Sequence, residues 1–572
     1  MESLGPYAPA FEARLRKLDA ERFVERLWAH DDSLWGADPE RRRVAANRLG
    51  WLEVPGFMRD EVDALHTLAI SIWREGFTHA VLLGMGGSSL APEVLRLTFG
   101  VKPGAIELEV LDNTSPAAVR AVAEGLDPRT TLFLVSSKSG STLEVTSFER
   151  YFYEWVRAAR GAQAGRAFVA ITDPSTSLEK LAVERGYRRV CSNPPDIGGR
   201  YSALSYFGLV PASLIGVDTG DLLDTALAEA RASGARVPAS ENPGVRLGAA
   251  LGELALAGRD KLTLVLGEEI AALGSWIEQL IAESTGKLGR GIVPVAGEPL
   301  GAPSVYGDDR VFVVAAVKPL PAETESALAA LASAGHPILR WNVSSLSSLG
   351  AEFLRWEIAT ATAGAVLDVD PFDEPNVTEA KQETQTVLSG YLERGEFAPP
   401  QPVASQGGRF VEAPPATAAA LRARAGSDPA AWVPALLALA KPGDYLALLA
   451  YLHRTPERHR RIETLRLALR NASRLATTTG FGPRFLHSTG QLHKGGPNTG
   501  LFVQITGDEG DELPIPGEKY GFGALRRAQA AGDYEVLVRR ERRVLRIHLG
   551  GDIESGLDAL IEAASSSAAV RT

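Results

Sequence analysis

Three short segments of this chain carry residues able to do chemistry at places where a ligand could meet them. The segment 84-GMGGSSLAPEV-94 follows the apolar run AVLL and leads into a helical-looking stretch. Gly84, Gly86 and Gly87 let a ligand approach the backbone. Ser88 and Ser89 add hydroxyls, and helix-start amides suit an anion. A tight strand-to-helix turn is the alternative use of the same glycines. The segment 134-LVSSKSGSTLEV-145 places Ser137, Lys138, Ser139, Gly140, Ser141 and Thr142 between an apolar run and a helix. So many hydroxyls exceed what helix capping takes, and they suit a phosphate dianion. Neither segment has the GxxxxGK[ST] spacing, and GMGGSS lacks the last glycine of a dinucleotide fingerprint. The third segment, 281-IAESTGKLGRGIVP-294, holds Glu283 in polar, glycine-broken surroundings behind GSWIEQLIAE. A carboxylate there is either a positioned acid–base group or a solvated glutamate near a helix end.

The elements that would position these segments follow from the hydrophobic pattern. Residues 1–75 read as helices: FEARLRKL, ERFVERLWA, PERRRVAANRLGWL and DEVDALHTLAISIWREG all have helical spacing. From His79 onward, short apolar runs (HAVLLG, IELEVLD, TLFLVSS, AFVAIT, RRVCS) alternate with helical stretches. The alternation resumes with KLTLVLGEE, VFVVAAV, PILRWNV, DYLALLAYL and GLFVQIT. Such a pattern predicts α/β architecture: two doubly wound units with parallel sheets, over 76–235 and 236–510. A helical segment precedes them, and an α+β extension follows over 511–572. The stretch 395-EFAPPQPVASQGGRFVEAPPA-415 is rich in proline, glycine and small residues and reads as a long loop within an insertion near 395–440. In the extension, YEVLVRRERRVLRIHLGG reads as paired strands, with RRERR on a solvated face, and DIESGLDALIEAA as a closing helix.

At this point the chain resembles a known family. GMGGSSLAP and VSSKSGST are similar to the sugar-phosphate loops of glucose-6-phosphate isomerase, which is built from two sugar-isomerase (SIS) domains of flavodoxin-like type. The segment 197-IGGRYSALSYFGL-209 is similar to the family's GGRYS segment, and 279-QLIAESTGK-287 to its Q-x-x-x-E-S-x-G-K segment. The resemblance is closest to the isomerase half of fused transaldolase–glucose-6-phosphate isomerase proteins. The residues ahead of the first unit are too few for a transaldolase barrel, which takes ~250 residues.

The resemblance implies aldose–ketose isomerisation of glucose 6-phosphate and fructose 6-phosphate through a cis-enediolate, in glycolysis and gluconeogenesis. Glu283 is then the base that moves the proton between C2 and C1. Gln279 is a substrate-binding residue, and at i and i+4 on a helix it shares a face with Glu283. Arg200 is the cation beside the developing enediolate oxygens. The phosphate falls to Ser137, Lys138, Ser139, Gly140, Ser141 and Thr142, with Gly87 and Ser88 at the neighbouring loop. A lysine and a histidine help open the sugar ring. The segment 368-DVDPFDEPNVTEAKQET-384 is similar to the family's FDQ-x-x-V-E-x-x-K helix start and assigns the lysine to Lys381. In most family members the histidine motif lies between the glutamate and lysine motifs. Only His336 lies there in this chain, in SAGHPILRW, and it reads as structural. The better match is 482-GPRFLHSTGQLHKGGPNTGLFVQIT-506, which assigns the role to His487 and gives the order Glu, Lys, His. In the family the histidine comes from the partner subunit of a homodimer; here either the same chain or a partner can supply it.

Composition limits the other readings. A net charge of −10 disfavours a broad nucleic-acid surface. No run reaches the ~18 apolar residues of a membrane span, and the N-terminus has no signal-peptide pattern. Cys191 is the single cysteine, so no internal disulfide is expected, in keeping with a reducing cytoplasm. No cofactor is expected: isomerisation needs no redox partner, and no HExxH or cysteine cluster suggests zinc. Two other functions remain: a dual phosphoglucose/phosphomannose isomerase, and a non-catalytic SIS sugar-phosphate sensor. A sensor needs the phosphate loops but not the full acid–base set.

Overall fold

The computed structural model describes residues 2–510 and 512–569. A two-residue strand, β1 (Glu2–Ser3), opens the chain, followed by helices that run to Arg74. These helices form for local reasons. Ala8–Ala20 buries Phe11, Leu15 and Leu18, which fall on one stripe. Pro39–Ala46 starts with proline at its first position, where Asp38 accepts from the amides of Glu40 and Arg41.

The first sheet holds β2 (His79–Gly84), β3 (Glu107–Leu111), β4 (Thr131–Ser136), β5 (Phe168–Thr172) and β6 (Arg189–Ser192). All its pairings are parallel, in the order β3-β2-β4-β5-β6. Every residue of β4 is buried, as expected for a strand covered by helices on both faces. The chain leaves β2 for β3 on one side and returns across it to β4 on the other. The loops after β2 and β4 therefore diverge and leave a crevice at the carboxyl edge of the sheet. GMGGSS follows β2 and SSKSGST follows β4, so the two loops singled out by their residue types lie at this crevice.

The second sheet holds β7 (Lys261–Leu266), β8 (Val293–Val295), β9 (Arg310–Ala316) and β10 (Ile338–Asn342), in the order β1-β10-β9-β7-β8. It is parallel except for β1. Between β7 and β8 runs the helix Leu273–Thr285, which carries Gln279 and Glu283.

The third sheet differs in extent from the sequence reading. It contains β11 (Ala404–Gln406), β12 (Arg409–Glu412), β13 (Tyr445–Tyr451), β14 (Ala476–Phe481), β15 (Gly500–Thr506) and β16 (Arg543–His548). The order is β11-β12-β16-β15-β13-β14, with β16, β15, β13 and β14 parallel and the 404–412 hairpin antiparallel. The fold class stands: parallel α/β sheets, a helical N-terminus and a C-terminal α+β sheet. However, β13, β14 and β15 belong to that C-terminal sheet and not to the second one. The proline-rich stretch is also more ordered than a loop, since it carries the β11–β12 hairpin.

The tail needs one correction. YEVLVR is the end of a helix, Phe522–Arg539, and only Arg543–His548 is a strand. RRERR is the helix end and the turn out of it, where Glu541 takes a positive φ of 54°. This helix is buried on nearly all sides, including Phe522, Leu525, Gln529, Tyr534, Val536 and Leu537. With no polar face, its helical period is erased and the alternation in YEVLV reads as a strand.

An apolar cluster docks the third sheet onto the second. Ala282, Val293 and Val295 pack with Tyr445, Leu492 and Phe502. This contact sets the turn after β14 against the helix that carries Glu283. Among the described residues, no helix is long and apolar enough to cross a membrane.

Candidate active site

Glu283 and Gln279 lie one turn apart on the Leu273–Thr285 helix, and both face inward. Glu283 is 7% exposed. Gln279 donates from Nε2 to Glu283 Oε2 (3.1 Å) and to the backbone carbonyl of His487 (2.7 Å). Its Oε1 is buried without a protein partner among the described residues. A free amide oxygen beside a carboxylate is a ready acceptor for a ligand hydroxyl.

Arg200 enters from the short turn Gly199–Tyr201 and is almost wholly buried. Its Nε donates to Ser284 Oγ (2.8 Å), and its Nη2 to the carbonyls of Pro371 (2.7 Å) and Asp373 (2.9 Å). Its Nη1 lies 3.6 Å from Glu283 Oε1 and 3.0 Å from Glu374 Oε2. Lys287 holds the same 370–373 segment from the other side. Its Nζ donates to the Asp370 carbonyl, to the Asp373 carbonyl (2.6 Å) and to Asp373 Oδ1 (2.5 Å). The polar residues after Glu283 thus serve as a clamp: Ser284 orients the guanidinium, and Lys287 fixes the segment beneath it.

Burial pushes the Glu283 carboxyl above the usual glutamate range; Arg200 opposes this and Glu374 reinforces it. Burial likewise pulls the Lys287 ammonium below its ordinary value.

His487 arrives on the Arg484–His487 turn after β14. Its Nε2 lies 2.9 Å from Glu144 Oε1, and Gln529 Nε2 donates to the same oxygen (2.7 Å). Thr114 Oγ1 donates to Gln529 Oε1 (2.8 Å), which completes a buried chain of hydrogen bonds. Burial alone raises the Glu144 carboxyl, but the adjacent His487 ring and its hydrogen bond outweigh this and hold it below the usual range. Lys381 is exposed on the Pro375–Arg394 helix, and its charge also favours ionised Glu144.

The first-sheet loops close the site. A Cβ on Gly87 would lie 2.0 Å from the Gly199 carbonyl oxygen, and one on Gly86 2.7 Å from the His487 carbonyl oxygen. The first loop is thus in backbone contact with both the Arg200 turn and the His487 turn. Ser88 and Ser137 are buried, and Ser136 Oγ donates to the Ser88 carbonyl (3.0 Å), which joins the two loops. Ser137 and Thr142 share a hydroxyl–hydroxyl bond of 3.0 Å. Ser139 and Ser141 are exposed, and Gly140 turns the loop with φ +69°. Thr142 makes no side-chain cap to the helix Leu143–Arg160, which leaves its first-turn amides open to an anion. Lys138 points elsewhere: its ammonium pairs with Asp173 and donates to the Pro195 carbonyl (3.1 Å). His336 lies apart, packed edge-on against Phe312 with Nδ1 3.3 Å from Arg259, as a structural histidine.

Three further residues line the site: Glu144, Glu374 and Gln529. Glu144 directly follows the hydroxyl-rich loop, a placement that offered a hint, since a carboxylate there enters the first turn of the helix. Glu374 stands directly after Phe372 and Asp373, where the family's FDQ segment has its glutamine, while Gln529 gave no local signal.

A family model described as phosphoglucose isomerase matches residues 71–290. The glucose-6-phosphate isomerase of Rubrobacter xylanophilus is 30% identical over 386 residues, which covers 58% of this chain and 88% of that one. That of Thermus thermophilus is 29% identical over 417 residues, covering 64% of this chain and 97% of that one. Among solved structures, a hypothetical protein of Thermus thermophilus superposes with a TM-score of 0.56 at 25% identity, over 67% of this chain and 98% of that one. A glucose-6-phosphate isomerase from Chlamydia trachomatis superposes with a TM-score of 0.50 at 19% identity, over 65% and 78% of the two chains, and shares the fold. With a phosphate-type crevice, a buried carboxylate–arginine pair and these relatives, the chain belongs to the glucose-6-phosphate isomerase family.

Proposed function

We propose that this chain interconverts glucose 6-phosphate and fructose 6-phosphate through a cis-enediolate. The observation that carries the reading is the meeting at Glu283 of Arg200 on one side and, through Gln279, the His487 turn on the other, from three segments far apart in sequence. Glu283 takes a proton from C2 and returns it to C1. Burial has raised its affinity for a proton, which suits a group that must both accept and donate. Arg200 stabilises the enediolate oxygens, where negative charge grows in the transition state. His487, oriented by Glu144, works with Lys381 on the ring oxygen and the anomeric hydroxyl before isomerisation. All these groups come from one chain. A coupled assay for fructose 6-phosphate, run beside mannose 6-phosphate, tests the reading; conversion of neither sugar would leave the sensor function standing.

The phosphate belongs on the loop after β4, where Ser137, Thr142 and the open amides of the following helix converge. Ser137→Ala with Thr142→Ala is expected to raise KM far more than it lowers kcat, because phosphate contacts are made equally in ground and transition states. An unchanged KM would move the phosphate to another loop.

Gly87 sets the spacing between the first loop and Arg200. Gly87→Ala forces its Cβ against the Gly199 backbone, so the GGRYS turn must shift. Misplacement of a catalytic group by about 1 Å can cost ~10²-fold, and a loss of that order in kcat/KM is expected while circular dichroism shows an intact fold. Activity within threefold of wild type would show that Arg200 is positioned independently of this loop.

A further inference from the structure

Arg200 serves two carboxylates at once. Its Nη1 donates to Glu374 Oε2 at 3.0 Å and lies 3.6 Å from Glu283 Oε1. Glu374 is the residue before the Pro375–Arg394 helix, where an acidic side chain could cap the helix amides. It makes no such cap, and its carboxylate turns to the guanidinium instead. We propose that Glu374 is a positioning residue that competes with Glu283 for Arg200, and so sets the pH at which the base becomes active. The proposal rests on the reading of Glu283 as the base.

The physical argument has two parts of the same sign. A guanidinium shared with a closer carboxylate neutralises the farther one less. A second negative charge beside Glu283 also repels its ionised form directly. The charged groups facing Glu283 are Arg200 from the 199–201 turn, Glu374 from the head of the next helix, His487 from the turn after β14, and Lys287 from its own segment. Those facing Glu374 are Arg200, Lys287 and Arg48. Desolvation beside the site works against ionised Glu374, but Arg200 overcomes it and holds that carboxyl below its usual range. Glu374 therefore stays ionised through the range where Glu283 titrates. Its presence keeps Glu283 protonated to higher pH than Arg200 alone would allow, so the ionised carboxylate is a stronger base toward the C2 proton.

The sign of the test follows. The base must be ionised to act, so the acid limb of kcat/KM reports its proton affinity in the free enzyme. Glu374→Gln keeps the shape and removes the charge. Its acid limb is expected to move to lower pH by at least roughly half a pH unit, which leaves about three quarters of the plateau activity at the wild-type midpoint in place of half, and about threefold more activity than wild type well below that midpoint. Glu374→Asp keeps the charge and should leave the limb near the wild-type position. The readout is exchange of the C2 hydrogen with solvent deuterium in an acyclic analogue, which isolates the isomerisation step from ring opening. A limb that stays in place in Glu374→Gln, or moves to higher pH, overturns the proposal. If that variant is too slow to assay, the same titration is read from the ¹³C-labelled glutamate carboxyls by NMR, with Glu283→Gln assigning the signal. Glu283→Gln also separates the two possible failures. Normal exchange in that variant removes the base assignment itself. Lost exchange there, with an unmoved limb in Glu374→Gln, removes only the tuning role.

Discussion

Glu283→Gln is expected to lower kcat by at least ~10²-fold, within the ~10²–10⁴-fold typical of a general acid–base group, while sugar-phosphate binding survives. The substitution keeps the side chain's shape and its hydrogen bond from Gln279 but cannot accept the C2 proton. It also leaves Arg200 in place, held by Ser284, Glu374 and the 371 and 373 carbonyls, so the oxyanion side of the site persists. The discriminating measurement is label, not rate. An enediolate route exposes the migrating proton to solvent, so wild type in deuterium oxide should place deuterium at C1 of fructose 6-phosphate. A direct hydride shift would not. The Glu283→Gln enzyme should show almost no incorporation. Near-normal exchange in the variant would make Glu283 a buried structural carboxylate.

The second large effect is expected at His487. His487→Ala removes the ring that lies 2.9 Å from Glu144 and leaves that buried carboxylate with Gln529 as its remaining hydrogen-bond partner. With the cyclic substrate, loss of an acid–base group again predicts about 10²-fold or more in kcat/KM. An acyclic analogue bypasses ring opening, so it should lose much less. Equal losses on both substrates would remove the ring-opening role from His487. His336→Ala should disturb packing around Phe312 with little effect on either substrate. A catalytic loss there would reassign the histidine.

The legibility of this site in the sequence follows the reach of each signal. GMGGSS, SSKSGST, GGRYS and QxxxESxGK are local: each joins a strand or helix end to the residues that act there, and the first two lie at the crevice after β2 and β4. The pairing of Glu144 with His487 spans 343 residues and rests on how the third sheet packs against the first two. No spacing rule encodes such a contact. The role of Lys138 is hidden for a related reason. A lysine among hydroxyls suits a phosphate, but Asp173 at the end of the neighbouring strand takes its charge first. The fold is legible where strands alternate with amphipathic helices. It is not at Phe522–Arg539, where burial on nearly all sides leaves no polar stripe to mark the period.

The docking of the third sheet also changes what kind of equilibrium the site depends on. Tyr445, Leu492 and Phe502 hold the histidine turn against the Glu283 helix through covalently continuous chain. On the proposed reading of His487, completing the site is a unimolecular event, governed by the folding free energy of one polypeptide and not by a dissociation constant between two. A tether of this kind gives the histidine an effective concentration in the millimolar range or above, whatever the enzyme concentration. The fraction of chains with a complete site is then independent of expression level. A mutation that loosens the third sheet would act as a unimolecular equilibrium constant on the whole activity, with no rescue from added protein.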